Sequence, residues 1–264
     1  MGWNHTLIVN ILYLRAVGGY KNRDLISVLF FIIRGFTFMK NKKSINNAKK
    51  NIVNKINNSA IIYKNNLVGK TFLLLYDGKN IEVSFKDENF LHLCGVETNL
   101  YAKDFYKKAV KRTLGYKDIY FTNVHPYKLA DKKTNFLSQA FLLLKNESLV
   151  VTDVKTQSKN YKIGTTDCNI LLCFDKIAQN QNIFIPYSLR VKNINANKFK
   201  NIYEVDYVLS KKNNEKQYNF LEYGDESKLE DYLIKYNIKN NININKIIDI
   251  DNYDIDQEED DYER

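Results

Sequence analysis

A chain of 264 residues with 44% hydrophobic residues can bury a sizeable core, and its mean hydropathy of -0.43 argues against a membrane protein. Two Pro and ten Gly exclude a linker-rich or collagen-like chain. The formal charge is +10, and it rises to +18 over residues 1–248 once the acidic stretch Asp249–Arg264 is set aside. Such an excess suits a polyanionic partner, and equally a Lys-rich solvated surface.

The first 38 residues differ from the rest. They hold three of the six Arg, a single Lys (Lys21) and the only Trp, Trp3. Two apolar runs, Leu7–Leu14 and Leu25–Ile33, are too short to span a bilayer, so no stable membrane insertion is expected. Residues 1–6 lack the positive charge of a signal peptide. We read Met39 as the natural start and residues 1–38 as an extension; the alternative is a membrane-surface anchor over residues 25–38.

From 44 to 58, Ile45, Ala48, Ile52, Val53 and Ile56 recur near helical spacing and predict an amphipathic helix. Runs at 71–76 and 80–85 flank Asp77-Gly78 and predict a tight β-hairpin, since Gly accepts positive φ without a Cβ clash. A helix is expected over 100–114, capped by Asn99 and ended by Gly115, and a second over 127–144, opened by Pro126. Its apolar stripe is Phe136, Leu137, Ala140, Phe141 and Leu144. Strands follow at 148–154, 159–163, 169–174, 182–186, 202–209 and 217–223. Helices lead and strands trail, which predicts an α+β fold with a mostly antiparallel sheet packed on helices. The expected domain covers residues 40–225. A helix is expected at 226–236 within a C-terminal segment ending near 248, residues 237–264 read as poorly ordered, and residues 249–264 as an acidic disordered tail.

The cysteines Cys94, Cys168 and Cys173 form no C-x-x-C pair, and their odd number makes a poor disulfide framework. They are expected to stay reduced, as in a cytoplasmic protein. No second ligand pair accompanies Cys168 and Cys173, so neither a metal site nor a cofactor is expected.

Of the three histidines, His5 lies in the extension, and His125 precedes Pro126, where a surface or capping role suffices. His92 carries more information. It sits in Asn89-Phe90-Leu91-His92-Leu93-Cys94-Gly95, directly after the second hairpin strand, among apolar neighbours. Imidazole titrates near neutrality and can take up and return a proton. A satisfied core histidine and a catalytic one both fit that placement.

The segment Phe90–Val96, followed by a helix bearing Phe105-Tyr106-Lys107-Lys108-Ala109, resembles the His-Leu-x-Gly segment and next helix of one subgroup of phage Barnase–EndoU–colicin–RelE-like nucleases (PBECR). Cys94 stands where that subgroup has Thr. Ile163-Gly164-Thr165-Thr166 and Ile185-Pro186-Tyr187-Ser188-Leu189 resemble its later strands, and the likeness covers about 45–192. It implies a helices-then-sheet nuclease fold, RNA as partner and substrate, and a phage or mobile-element setting, as toxin or host-directed effector. An immunity or antitoxin protein is a further implied partner.

By the same resemblance, the reaction is attack of the ribose 2′-OH on its own phosphate, without a metal. His92 is then the candidate base or acid, and Arg190 a bidentate phosphate clamp. Ser188 and Thr166 are candidate hydroxyl donors. Lys162 and Tyr187 are candidate substrate-binding residues, the lysine for charge and the tyrosine for base stacking. The competing expectation is a catalytically inactive RNA- or protein-binding module.

Overall fold

A computed structural model of the protein describes residues 45–156, 159–177, 183–191, 194, 196–239 and 241–247. The expectations for the extension 1–38 and for the tail 249–264 lie outside these residues. Residues 1–49 and 50–264 form separate units, and the second carries the fold.

Helix α1 runs over 45–66, eight residues past its predicted end. Its buried stripe is Ile52, Val53, Ile56, Ala60 and Tyr63, so Ala60 and Tyr63 prolong the apolar phase by two further turns. Strands β1 (Lys70–Tyr76) and β2 (Lys79–Ser84) form the expected hairpin. Asp77 (φ 49°) and Gly78 (φ 68°) both take the left-handed conformation that a type I′ turn requires. Gly78 is also fixed by contact, because a Cβ there would lie 2.4 Å from the Tyr236 ring.

Three short helices follow: α2 (Phe90–Cys94), α3 (Ala102–Val110) and α4 (Tyr127–Thr134). Helix α3 falls short of the 100–114 prediction at both ends. Tyr101 occupies the N-cap in place of Asn99, and Arg112 (φ 57°), not Gly115, takes the left-handed turn after it. The long helix predicted over 127–144 is broken. The Thr134 hydroxyl donates to the Ala130 carbonyl at 2.8 Å, α4 ends there, and the chain resumes as a 3₁₀ helix over Leu137–Leu144. Such back-bonding hydroxyls compete with the helical ladder.

Strands β3 (Leu149–Val154), β4 (Tyr161–Thr166), β5 (Ile170–Lys176), β6 (Ile183–Val191), β7 (Asn201–Glu204), β8 (Tyr207–Lys212) and β9 (Phe220–Tyr223) complete one nine-stranded sheet. Its order is β7-β3-β4-β5-β6-β2-β1-β8-β9, antiparallel throughout except for the β2–β6 pair. The predicted strand 202–209 is two strands. Only Val205 and Asp206 separate β7 from β8, yet the two stand far apart in the pairing order. The Val205 N–H bonds to Ser148 O at 3.0 Å and the Asp206 N–H to Leu75 O at 2.9 Å. The sheet must therefore curl until its β7–β3 edge approaches β1, and the Tyr203 ring lies 5.5 Å from that of Tyr76.

Both faces of the sheet are covered. Phe72 and Leu74 of β1 join the main core, where Tyr63, Phe85, Phe90 and Tyr106 stack at 5.1–6.1 Å. Each such pair is worth about 0.5–1.5 kcal/mol beyond its buried area. Leu73 and Leu75 face the other way, against Leu229 and Leu233 of helix α5 (Leu229–Lys235). Two-sided burial explains why β1 reads as an unbroken apolar run. Within 241–247, Ile242 bridges to Tyr218 and Ile247 is buried. Among the described residues, no helix is long and apolar enough to cross a membrane.

Candidate active site

The hairpin delivers the chain to α2, whose single turn sorts its side chains. Phe90, Leu93 and Cys94 go into the core, while His92 stays exposed. The imidazole lies flat on the Tyr187 ring, with centroids 5.1 Å apart and planes 9° from parallel. Tyr187 reaches it because the β5–β6 register slips between Cys173 and Phe174, and the bulge turns the tyrosine outward. Lys159 places its ammonium 4.2 Å from the Tyr187 ring centre and is itself paired with Asp175. Partial burial, helped by the positive charge of Lys133, holds the His92 pKa below its ordinary value.

Lys133 is the unexpected member. It lies on α4 in the same helical phase as Ala130, and it is 4% exposed. Burial, reinforced by the Arg190 charge, pushes its ammonium pKa down to about 8. No hydrogen-bond acceptor or carboxylate partners it among the described residues. The neighbouring thiols do not supply a counter-charge. Burial pushes Cys173 up to about 12 and Cys94 higher still, so both stay protonated at neutral pH. Elsewhere the fold pairs its lysines: Lys70 and Lys145 share the Glu222 carboxylate at 3.4 and 3.2 Å.

Gly95 ends α2 at φ 71°, and a Cβ there would sit 2.6 Å from Cδ of Lys133. The His92–Gly95 segment thus supplies an imidazole and, three residues on, the gap through which Lys133 passes. Arg190, on β6, donates to the Thr156 hydroxyl at 3.3 Å. Lys132, Lys133, Lys155, Thr156, Arg190 and Lys198 contribute to the wall of a pocket of about 550 Å³, and no carboxylate is among the described residues that line it. Five cationic side chains thus line this one cavity.

Of the residues singled out in the sequence, His92 and Tyr187 form one stack, Arg190 lines the pocket with Lys133, and neither stacked ring is part of the pocket's lining. Ser188 is buried on the strand between the last two, opposite Cys173. Thr166 is elsewhere. Its hydroxyl donates to Ile170 O at 2.6 Å and accepts from the Cys168 N–H at 3.0 Å, closing the β4–β5 turn. Lys162 is exposed and does not line the pocket. His125 engages Glu97 through Nδ1. Among the described residues, no three His, Cys, Asp or Glu side chains gather as a ligand set for a metal ion.

Sequence reasoning passed over Lys133, Thr156, Lys155, Lys198 and the Lys159–Asp175 pair. One signal was present: Lys133 falls three residues before Phe136 and four before Leu137, on the apolar side of the predicted helix. Lys133 keeps that inward register although the α-helix ends one residue later.

The chain is thus an α+β domain of helices followed by a mostly antiparallel sheet, with a cation-lined cavity and an imidazole that feels the charge of Lys133, one of that cavity's lysines. The sequence matches the family model for the phage-Barnase-EndoU-ColicinE5/D-RelE like nuclease4 over residues 55–227, and the chain belongs to this nuclease family. The match begins within α1, ends after β9 and takes in every residue named at the pocket. No curated protein and no solved structure matches the chain.

Proposed function

We propose that the protein is an endoribonuclease that cleaves RNA through attack of a ribose 2′-hydroxyl on the adjacent phosphodiester. The observation that carries this reading is the buried Lys133, with no acidic partner among the described residues, beside Arg190 and near an imidazole whose pKa burial lowers. In this scheme neutral His92 takes the 2′-OH proton as the oxygen bonds to phosphorus. The bond from phosphorus to the 5′-oxygen breaks, and that oxygen takes a proton from the Lys133 ammonium, whose lowered pKa suits it as an acid. Arg190 offers two parallel N–H donors to the phosphorane oxygens. The products are a 2′,3′-cyclic phosphate and a 5′-hydroxyl, and solvent returns a proton to Lys133 and removes one from His92. Base, acid and charge stabilisation all come from side chains, so the scheme involves no metal. Family membership supports a phage or mobile-element setting, with a toxin or host-directed role and an immunity protein as natural extensions.

The test is cleavage of labelled RNA in the presence of a chelator. We expect 2′,3′-cyclic ends, and no cut where a single 2′-deoxynucleotide replaces the ribose at the cleavage position. Binding of RNA without any cut would instead identify a recognition module.

Tyr187 has a positioning role in this scheme. Its ring fixes the plane of the imidazole. Tyr187→Leu should lower kcat by about 10²-fold with little change in KM, as expected when a reacting group loses its alignment. Tyr187→Phe keeps the stack and should keep the rate. Steady-state kinetics of the two variants checks this.

A further inference from the structure

We infer that Thr156 and Lys159 are positioning residues, which together tie the Arg190 guanidinium to the stacked rings of His92 and Tyr187. The inference deepens the nuclease reading and rests on it for the reaction that those groups serve.

His92 and Tyr187 are not among the residues that line the pocket, yet the chain between β3 and β4 touches both places. Thr156 is its pocket end. The Thr156 hydroxyl accepts from Nη2 of Arg190 at 3.3 Å and from the Lys159 N–H at 3.1 Å, and it donates to the Lys159 carbonyl. A hydroxyl has one donor and two acceptor positions, so this one is filled and its orientation is fixed. The guanidinium is planar, and a bond at one end of the plane limits how the fork can turn.

Lys159 is the other end. Its backbone is held by Thr156, and its ammonium meets three groups: the Asp175 carboxylate, the Tyr187 ring at 4.2 Å and the Tyr161 ring at 5.5 Å. The bond to Asp175 raises the Lys159 pKa above its ordinary value, so the ammonium stays charged, and a charged ammonium is what an aromatic face attracts. Tyr187 has need of such a restraint. Cys173 pairs with Ser188 and Phe174 with Pro186, so Tyr187 is the extra residue of the bulge, without a ladder partner of its own. An ion pair as exposed as Lys159–Asp175 adds little to stability. Its contribution is the place at which it holds the ring.

Thr156 and Lys159 lie outside the core, so substitutions there leave the packing of the sheet intact. Thr156→Val keeps the shape and removes the hydroxyl. It should lower kcat by about 10²-fold with KM little changed, the loss expected of a misplaced reacting group. Thr156→Ser keeps the hydroxyl and should restore the rate.

Proton NMR of the full chain supplies a readout that does not depend on catalysis. The chain has three histidines, and the His92 signals are identified by their loss in His92→Ala. In the wild type the ring current of Tyr187 displaces them from the position of a free imidazole. At alkaline pH, where the His92 ring is uncharged, Thr156→Val and Lys159→Met should both bring them back toward that position. The His125 signals and the melting temperature should stay as in the wild type. His92 signals unmoved in both variants would overturn the inference, as would a Thr156→Val variant that cuts RNA at the wild-type rate or a Thr156→Ser variant as slow as the valine one. A wild type that cuts no RNA, with His92 signals that move as expected, would leave the positioning link standing and remove the nuclease reading. Cleavage with unmoved signals would do the reverse.

Discussion

His92→Ala should reduce RNA cleavage by about 10³-fold while the variant melts as the wild type does. A positioned general base contributes on the order of 10²–10⁴ in rate. The residue is exposed and its neighbours Phe90, Leu93 and Cys94 hold α2 in the core, so little packing is lost with the ring. The pH dependence should be bell-shaped. His92 must be neutral to act, and its pKa lies below the ordinary value of 6.5, so the acid limb falls on the acid side of 6.5. Lys133 must be protonated to act, so the alkaline limb falls near its pKa of about 8. A flat profile between pH 5 and 9, or an alanine variant with undiminished activity, would remove His92 from the chemistry.

The parts of this fold legible in the sequence are those whose signal is local. Asp77-Gly78 fixes a turn by its own backbone preferences, and the periodicity from Ile52 to Ile56 requires no knowledge of what α1 packs against. The break at Thr134 was not legible, because a hydroxyl that back-bonds to Ala130 and a run of favourable apolar spacing pull in opposite directions, and packing decides between them. The curl of the sheet was hidden for a different reason. Residues 202–209 read as one strand because nothing in their composition marks Val205–Asp206 as the place where the chain leaves one partner for another.

The site divides along the same line. His92 stood out because histidines are scarce, and Arg190 because arginine is scarce outside residues 1–38. Lys133, Lys155 and Lys198 are three of 34 lysines, so residue type said nothing about them. What distinguishes them is convergence from α4, the end of β3 and the turn before β7, which only the tertiary structure supplies. Tyr187 was singled out for its ring, as a base-stacking residue. The bulge in β6 gives that ring to His92.

Lys133→Met should make the protein more stable and inactive at once. An ammonium with a pKa of about 8 in the folded state, against 10.5 when free, destabilises the fold at pH 7 by about 3 kcal/mol, since one pKa unit corresponds to about 1.36 kcal/mol. Methionine has a similar length and carries no charge, so we expect a gain of roughly 2 kcal/mol in unfolding free energy. Between pH 8 and 10 the unfolded chain holds a proton at this lysine that the folded chain has shed, so wild-type stability rises with pH relative to the variant. Above pH 10 the buried tyrosines intervene with the opposite sign. Tyr63 and Tyr218 have raised pKa values, so the unfolded chain loses their protons first and stability falls in both proteins. The difference between the two denaturation curves across pH 7–10 isolates Lys133 from these groups. A variant less stable than wild type, with the same pH slope, would mean that the lysine is not strained. A stabilised variant that still cleaves RNA at the wild-type rate would mean that the strain serves something other than proton donation. If stability rises and cleavage falls by about 10²–10³-fold, the fold is giving up stability to keep an acid at the pocket.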